Sequence, residues 1–227
     1  MDPGHPLDRP VWGALTTLQA DLSLGGASAL RFAPEYGVFA ATADLSPASL
    51  AALARLCGPG ERLALFEIDR RSAPPGLTVI DRGVCWQMVA ETLAAGGIDA
   101  AITPMTEDDA PEMLALATLT NPGPFFARTH RLGDFIGVRR EGVLVAMAGE
   151  RMKLPGFTEV SALCTHPDHR GRGLAGALIR AAAARILARG ETPFLHVLGH
   201  NSPAIALYRI LGFSLRREMA LTILAPA

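Results

Sequence analysis

Residues 164–178, CTHPDHRGRGLAGAL, run from an apolar strand through a basic, glycine-rich turn into an alanine-rich helix. Glycines in such a turn can take positive φ values and let a ligand approach the backbone closely. The first turn of a helix leaves N–H groups unpaired, and its dipole favours an anion. Because Arg170 and Arg172 add positive charge, this segment predicts a binding site for a diphosphate.

Two common phosphate-binding loops fit this segment poorly. A P-loop requires a Lys-Ser or Lys-Thr pair after its second glycine, and the segment has none. A dinucleotide loop requires glycines spaced as Gly171, Gly173 and Gly176 are, with an acidic residue about 20 positions further on. Glu191 lies at that distance, but it opens a predicted strand instead of closing one, and too little chain follows for a doubly wound sheet.

A third pattern, [Q/R]-x-x-G-x-[G/A], is met by Arg170, Gly173 and Ala175. It closely resembles the acetyl-CoA loop of the GCN5-related N-acetyltransferase (GNAT) superfamily. Downstream, FLHVLGHNSPAIALYRILGF resembles the second block of that superfamily, and the strands FIGVRREGVLVAMAGERM and TEVSALCTHP precede the loop in the expected order. The resemblance spans about residues 98–222 and is closest to the FR47-like subgroup.

The resemblance implies an α/β (α+β) protein with the acyl-CoA N-acyltransferase fold, whose mixed sheet is mostly antiparallel. It implies acetyl-CoA as the cofactor, with backbone N–H groups of the loop around the diphosphate and the strand before it alongside the pantetheine arm. The cofactor-binding residues expected on this basis are Leu163, Cys164, Thr165, Arg170, Gly171, Arg172, Gly173, Leu174, Ala175, Gly176 and Asn201.

Acetyl transfer from a thioester to an amine needs a proton acceptor and a proton donor. An alkyl amine with a pKa near 10.4 is protonated at pH 7, so a base or a water relay must take its proton. The resemblance suggests Glu159 as this base, with Glu150 as a weaker candidate, although Glu159 could also be a solvent-facing strand residue. Tyr208 matches the general acid of the family, and packing in the core is its alternative role.

Other candidate residues have simpler structural explanations. Asn201 matches a cofactor-contacting position, while Ser202 before Pro203 is expected to cap a helix. His196 and His200 would lie about 13 Å apart on a strand, too far to share an ion, so no metal site is predicted. Cys164 lacks a base to activate it and is expected to be a buried thiol.

The acceptor site is expected along TNPGPFFARTHRLG, since early helices of the superfamily wall that site. The candidate substrate-contacting residues are Phe125, Phe126, Arg128 and His130. Core packing is the alternative for both phenylalanines. Nothing in the sequence identifies the acceptor, which is expected to be an amine of a small molecule or a peptide.

Composition narrows the class of protein. The chain has 227 residues, 49% of them hydrophobic, and a net charge of −1 with scattered basic residues. This disfavours binding to nucleic acid or to an anionic membrane. Three distant cysteines in apolar surroundings, and an N-terminus without a signal-peptide pattern, are typical of a cytoplasmic protein. A homodimer is compatible with these features.

Turn and cap residues divide the chain into elements. A smaller α/β N-terminal domain is predicted over residues 1–96, and the acetyltransferase domain over 97–227, with the junction at GGID. Helices are predicted from Ser46 as a cap to Gly58 as a stop, from Thr106 or Glu107 onward, and over about 173–189. Strands are predicted at about 31–42, 61–68, 76–89, 134–140, 143–152 and 157–166, with AAITPMT as a further candidate.

The residues and the resemblance together imply an acetyl-CoA-dependent N-acetyltransferase that transfers its acetyl group directly to a primary amine while both substrates are bound. The alternative is a non-catalytic module that binds acyl-CoA and has a regulatory role. The enzyme would release CoA when an amine is present, whereas the module would bind acetyl-CoA and release no CoA.

Overall fold

The computed structural model describes residues 4–96 and 100–227. In this part of the chain the α-helices, α1 to α5, span Pro10–Thr16, Pro47–Arg55, Ala110–Thr120, Leu174–Ala188 and Ser202–Ile210. The strands, β1 to β11, span Ser23–Gly26, Ala29–Phe32, Ala40–Thr42, Leu63–Glu67, Leu77–Val89, Ile102–Pro104, Phe135–Arg140, Val143–Leu154, Phe157–Thr165, Thr192–Leu198 and Ser214–Pro226.

Local cap and turn residues set several of these boundaries. The Ser46 hydroxyl accepts a hydrogen bond from the Ser49 N–H at 3.2 Å, and Pro47 opens α2, which confirms the predicted start of this helix. The predicted stop at Gly58 is wrong, because α2 ends at Arg55. The segment predicted as one extended stretch at 31–42 forms two strands, β2 and β3, joined by a turn.

The predicted antiparallel meander is confirmed by β7, β8 and β9. Its turns contain Glu141 and Gly142, with φ values of 52° and 82°, and Gly156, with φ of 80°. Glycine takes such positive φ values at little cost, which is why these turns reverse the chain sharply. The meander supplies three of the eight strands of the large sheet.

That sheet has eight strands in the order β4-β11-β5-β10-β9-β8-β7-β6, and β1, β2 and β3 form a separate small sheet. β5 is antiparallel to both of its neighbours, β10 and β11, so that Val89 lies opposite Phe194 on one side and Ser214 on the other. A strand from the N-terminal half of the chain therefore separates two strands that follow each other near the C-terminus.

Apolar clusters cover both faces of the large sheet. On one face, Leu178 of α4 and Ile205 of α5 pack on Val160 and Leu195 of the sheet. On the opposite face, α3 packs through Met113 against one group of strands. The N-terminal helix α1 and the small sheet cover the remaining strands of that face through residues such as Leu15 and Phe39.

The junction predicted at GGID includes Gly97, Ile98 and Asp99, which lie outside the described residues. A smaller α/β unit does precede the acetyltransferase-like part, since β1, β2, β3 and α2 lie outside the large sheet. However, β4 and β5 precede the junction and belong to the large sheet. The division into residues 1–96 and 97–227 therefore stays a prediction.

The cysteines are free thiols, and two of them, Cys85 and Cys164, are buried as predicted. Cys57 is only partly buried, so the expectation of a buried thiol is wrong there. Burial raises the pKa of Cys85 and of Cys164 to about 11, which keeps both thiols protonated. Across the described residues, no helix combines the length and the apolar character needed to cross a membrane.

We expect that residues 100–227, produced without the preceding part, do not fold. Without β5, the strands β10 and β11 would each lose a hydrogen-bonded neighbour and expose an edge. Urea denaturation followed by circular dichroism should show a cooperative transition for the full chain and none for the fragment. A cooperative transition of the fragment would instead establish the C-terminal part as an independent domain.

Candidate functional site

Two parallel strands, β9 and β10, diverge near the centre of the sheet. They pair only through Thr192, Pro193 and Phe194 of β10, which lie opposite Phe157–Glu159 of β9. Beyond this point β9 continues to Thr165 and β10 to Leu198, and the described residues of the two strands form no further pairs. We call the opening between them the wedge. A sheet that opens in this way presents backbone groups that an inserted ligand can reach.

A β-bulge lies in β9 at the side of the wedge. Met147 of β8 pairs with Cys164, but Gly149, two residues on, pairs with Ser161, so β9 contains one extra residue. Ala162 in this bulge has φ of 52°, an uncommon value for a residue with a side chain. Bulges leave backbone groups outside the ladder, often next to functional sites. No side-chain pattern in the sequence indicated this one.

The predicted cofactor residues Leu163, Cys164 and Thr165 follow the bulge directly. Cys164 is buried in the apolar cluster under α3, whereas Leu163 packs with the cluster on the other face. Thr165 is the last residue of β9, and its hydroxyl Oγ1 is buried without a hydrogen-bond partner among the described residues. A buried hydroxyl without a partner is costly, so a ligand at this position would be stabilised by it.

The glycine-rich loop connects β9 to α4 at the open end of the wedge. Gly171 and Gly173 have φ of 72° and 73°, and Gly173 is the N-cap residue of α4 with no side chain capping the helix. The first backbone hydrogen bond reaching back from the helix joins the Ala177 N–H to the Gly173 carbonyl at 3.1 Å. The N–H groups of residues 174–176 precede it, so helix geometry leaves them free to bind an anion.

Charged and polar side chains surround these N–H groups. Arg170 and Arg172 are exposed and donate at 3.3 Å to the backbone carbonyls of Thr165 and Asp168, respectively. The ring nitrogen Nδ1 of His169 is buried and has no partner among the described residues. The arrangement therefore combines backbone donors, two guanidinium groups and two unsatisfied polar atoms, and it fits a diphosphate with polar groups attached.

Tyr208 and Asn201 belong to α5 and its cap, which follow β10, the second strand of the wedge. Tyr208 packs against Phe213, with 6.2 Å between the ring centroids, and burial raises the pKa of its hydroxyl to about 12. The phenol is therefore protonated at neutral pH, as a proton donor must be. The Asn201 side chain accepts a hydrogen bond from the Ala204 N–H at 3.3 Å and caps α5. The cap predicted at Ser202 is thus one residue too late.

The structure does not favour Glu159 as a base that contacts the amine. Its side chain is 0% exposed, and its two oxygens lie 2.5 and 2.8 Å from Arg151 and 2.7 Å from Nδ1 of His196. Burial alone would raise the pKa of Glu159, but Arg151 and His196 outweigh it and lower the pKa to about 2. A carboxylate enclosed in this way is a weak and inaccessible proton acceptor.

Glu150 is also an unsuitable base in this structure. It is buried and lies 2.7 Å from Arg189, 3.0 Å from Lys153 and 3.3 Å from the backbone N–H of Asp134. Each of these groups donates to the carboxylate. Both residues predicted as candidate bases, Glu159 and Glu150, are therefore held in ion pairs inside the protein.

A cavity of about 1120 Å³ lies beside β5, between the N-terminal part and the loop after α3. Of the four predicted substrate residues in the described chain, only Phe126 lines it. Phe125 packs edge-on against Phe135, at 5.9 Å, and so belongs to the core under α3. Arg128 forms a 3.7 Å ion pair with Glu35 at the surface.

His130, the fourth predicted substrate residue, is buried at 3.0 Å from Glu107 and lines a separate cavity of about 400 Å³. The remaining lining of the large cavity comes mostly from parts that the resemblance did not cover. These lining residues are Arg31, Pro34, Val38, Gly60, Glu61, Arg62, Ile80, Asp81, Asn121, Gly123, Pro124 and Ile223. The sequence did not indicate the lining residues of the N-terminal part, because only tertiary packing brings them next to the loop after α3.

Comparison with known proteins agrees with this geometry. The family profile described as FR47-like protein matches residues 135–221. The fold is similar to that of a GNAT-family protein from Novosphingobium aromaticivorans, with a TM-score of 0.93 and 45% sequence identity over 99% of this chain and 100% of that chain. The chain therefore belongs to the GCN5-related N-acetyltransferase family, as the sequence predicted.

Curated relatives match shorter stretches. The chain is 40% identical over 65 residues to mycothiol acetyltransferase of Corynebacterium aurimucosum, covering 28% of this chain and 21% of that protein. It is 38% identical over 82 residues to N-alpha-acetyltransferase RimI of Mycobacterium tuberculosis, covering 35% and 51% of the two chains. The chain thus spans about a fifth and about half of the lengths of these relatives.

We expect Gly173→Ala to weaken CoA binding at least tenfold, because a side chain at φ of 73° strains the loop that presents the N–H groups. Titration calorimetry with CoA measures this effect. Gly190→Ala is the matched control, since Gly190 has φ of 76° at the other end of α4 and open space around it. Equal affinities for the two variants would mean that the loop does not bind the diphosphate.

We expect Glu159→Gln to lower the free energy of unfolding by about 3–5 kcal/mol, because it leaves Arg151 buried without its counter-ion. The pKa of Glu159 is lowered on folding, so its contribution is complete above pH 4.5 and is lost as the pH falls towards 2. Urea denaturation at pH 7, 4 and 3 should therefore show a difference in the free energy of unfolding between the wild type and the variant that becomes smaller as the pH falls. A difference independent of pH would contradict the ion-pair assignment.

Proposed function

We propose that this protein is an N-acetyltransferase that transfers the acetyl group of acetyl-CoA to a primary amine, with both substrates bound together. The observation that carries the proposal is the wedge between β9 and β10, which leads directly to the uncapped N-terminus of α4. Such a site offers strand edges for an elongated amide-containing chain and N–H groups for the diphosphate at its end.

The residues present fit CoA in three ways. The N–H groups of residues 174–176, with Arg170 and Arg172, would hold the diphosphate. Backbone groups of Leu163, Cys164 and Thr165 would pair with the pantetheine amides in the manner of an added strand. The unpartnered Oγ1 of Thr165 and Nδ1 of His169 supply further polar contacts. When bound, acetyl-CoA supplies the activated acyl group.

Direct transfer is supported by the state of Cys164, the cysteine on the β9 side of the wedge. Burial raises the pKa of Cys164 to about 11, so its sulfur is a thiol and not a nucleophilic thiolate at neutral pH. An acyl-enzyme on Cys164 would need the opposite environment. The acetyl group is therefore taken by the amine itself.

Tyr208 supplies the proton for the leaving sulfur in this proposal. Its hydroxyl belongs to a half-buried side chain on α5, the helix that follows β10, and is protonated at neutral pH. The proton of the amine leaves through water, because Glu159 and Glu150 are held in internal ion pairs. The rate of transfer then depends on the fraction of free amine, and acceptors of lower pKa react at lower pH.

A non-catalytic module that only binds acyl-CoA is the alternative function. The test mixes the protein with acetyl-CoA and a panel of primary amines and follows free CoA with a thiol reagent. CoA release that requires an amine supports the enzyme. Saturable binding of acetyl-CoA, measured by calorimetry, without release under any acceptor would support the module and overturn the proposal.

We expect Tyr208→Phe to lower kcat about 10²-fold or more while the Kd for acetyl-CoA changes less than about threefold, since only a proton donor is removed. Steady-state kinetics and calorimetry on the same preparation separate the two effects. Phe213→Leu is a suitable control, because it alters the packing around Tyr208 without removing its hydroxyl. An unchanged kcat in Tyr208→Phe would assign this residue to packing alone.

A further inference from the structure

One side of β5 lacks a neighbour over half of its length. β5 pairs with β11 from Leu77 to Val89, but it pairs with β10 only from Cys85 to Val89. The last contact is the hydrogen bond from the Gly199 N–H to the Val84 carbonyl, at 2.9 Å. Over residues 78–83 no described strand occupies the position that β10 would take if it were longer. We call this stretch the free edge.

Backbone groups on the free edge are oriented for strand pairing. The Val84 carbonyl points towards β10, and the N–H and C=O groups of alternate residues in a strand point to the same side. The backbone of Arg82 therefore also faces the free edge. Its N–H is bound by the side chain of the adjacent Asp81 at 2.7 Å, an interaction that a pairing strand could replace.

The cavity of about 1120 Å³ borders this free edge. Ile80 and Asp81 of β5 line one side of it, and Pro124 and Phe126 of the loop after α3 line another. That loop follows α3, and α3 packs in the same apolar cluster as Ala162 and Cys164. These two residues lie at the bulge beside the wedge. The free edge thus runs from the end of β10, where the wedge is, into a mostly apolar cavity.

We infer that the acceptor is an extended peptide that pairs with the free edge of β5 and places its N-terminal amine in the wedge. This inference rests on the proposed function and specifies its acceptor. The four residues 81–84 lie between the end of the pairing with β10 and the lining of the cavity, and four extended residues span about 13 Å, so about four residues of peptide reach from one to the other. The unpaired N–H and C=O groups of the edge can form hydrogen bonds with the backbone of an extended peptide, which a compact amine lacks. The edge therefore favours a peptide as the acceptor.

Side chains of the bound peptide alternate between two sides. Every second side chain faces the cavity, where Val38, Phe126 and Ile223 provide apolar contacts. The same lining contains Arg62, Asp81 and the ion pair of Arg31 with Glu61, so the side chains that face the cavity can be apolar or charged. The other side chains of the peptide point away from the cavity.

The first experiment uses the wild-type protein and synthetic peptides of one to six residues that share one N-terminal residue. We expect kcat/KM to rise at least tenfold from one residue to four and then to level off. Methylation of single backbone nitrogens in the four-residue peptide should lower kcat/KM at alternate positions only. Equal kcat/KM for single residues and peptides, or equal sensitivity at every position, would overturn the inference.

The second experiment compares Phe126→Ala with Leu119→Ala. Leu119 is an exposed apolar residue on α3 and serves as the matched control. We expect Phe126→Ala to raise KM for the four-residue peptide about tenfold with little change in kcat, and Leu119→Ala to change neither. If Phe126→Ala raised KM equally for single-residue amines and for peptides, pairing along the edge would be contradicted.

Failure of the proposed function gives a different result. If no amine releases CoA, the binding of labelled peptides in the presence of CoA, followed by fluorescence anisotropy, still tests the free edge. Affinity that rises with length up to about four residues would support the inference without turnover. Affinity independent of length would overturn it.

Discussion

The insertion of β5 between β10 and β11 is the constraint on which the rest of the structure depends. Hydrogen bonds from this N-terminal strand bind both C-terminal neighbours along their lengths. Because β5 holds β10 in place on one side, β10 can part from β9 on the other without leaving the sheet. The wedge is therefore stable only as long as residues far apart in the sequence are paired.

Buried charges hold the closed end of the wedge. Glu159 of β9 lies at the last paired position, opposite Phe194, and its carboxylate contacts His196 on β10 and Arg151 on β8. His196 in turn lies 3.1 Å from Gln87 of β5. This chain of contacts joins four adjacent strands just before the point at which β9 and β10 diverge. Buried ion pairs add little to stability by themselves, but they fix which groups lie opposite each other.

Local sequence signals predicted the elements well and their partners poorly. The glycine-rich loop, the helix after it and the meander before it follow from turn residues and periodicity, which act over a few positions. The place of β5 in the sheet is a non-local pairing, and no local pattern encodes it. The roles of single residues depend on that pairing too. Glu159 was expected to be a catalytic base or a solvent-facing residue, but it is buried and bound by Arg151 and His196 of the neighbouring strands.

The bulge at Ala162 and the cap at Asn201 show a second limit of predicting structure from the sequence. Alanine has no preference for φ of 52°, so tertiary contacts impose that conformation and the sequence gives no sign of it. Asn201 and Ser202 both suit a helix cap, and their order decides the helix start by one residue. Predictions at single-residue precision therefore fail where two neighbouring residues have equal propensities.

The proposed cofactor site and the proposed acceptor surface lie in different parts of the chain. The family profile covers residues 135–221, which contain the wedge, the bulge, the glycine-rich loop and Tyr208. The large cavity is lined by residues between 31 and 81, between 121 and 126, and by Ile223, all outside that match. A relative that matches only the profile region therefore shares the wedge and the glycine-rich loop, where we propose that CoA binds. It does not share β5 and the lining of the large cavity, along which we propose that the acceptor binds.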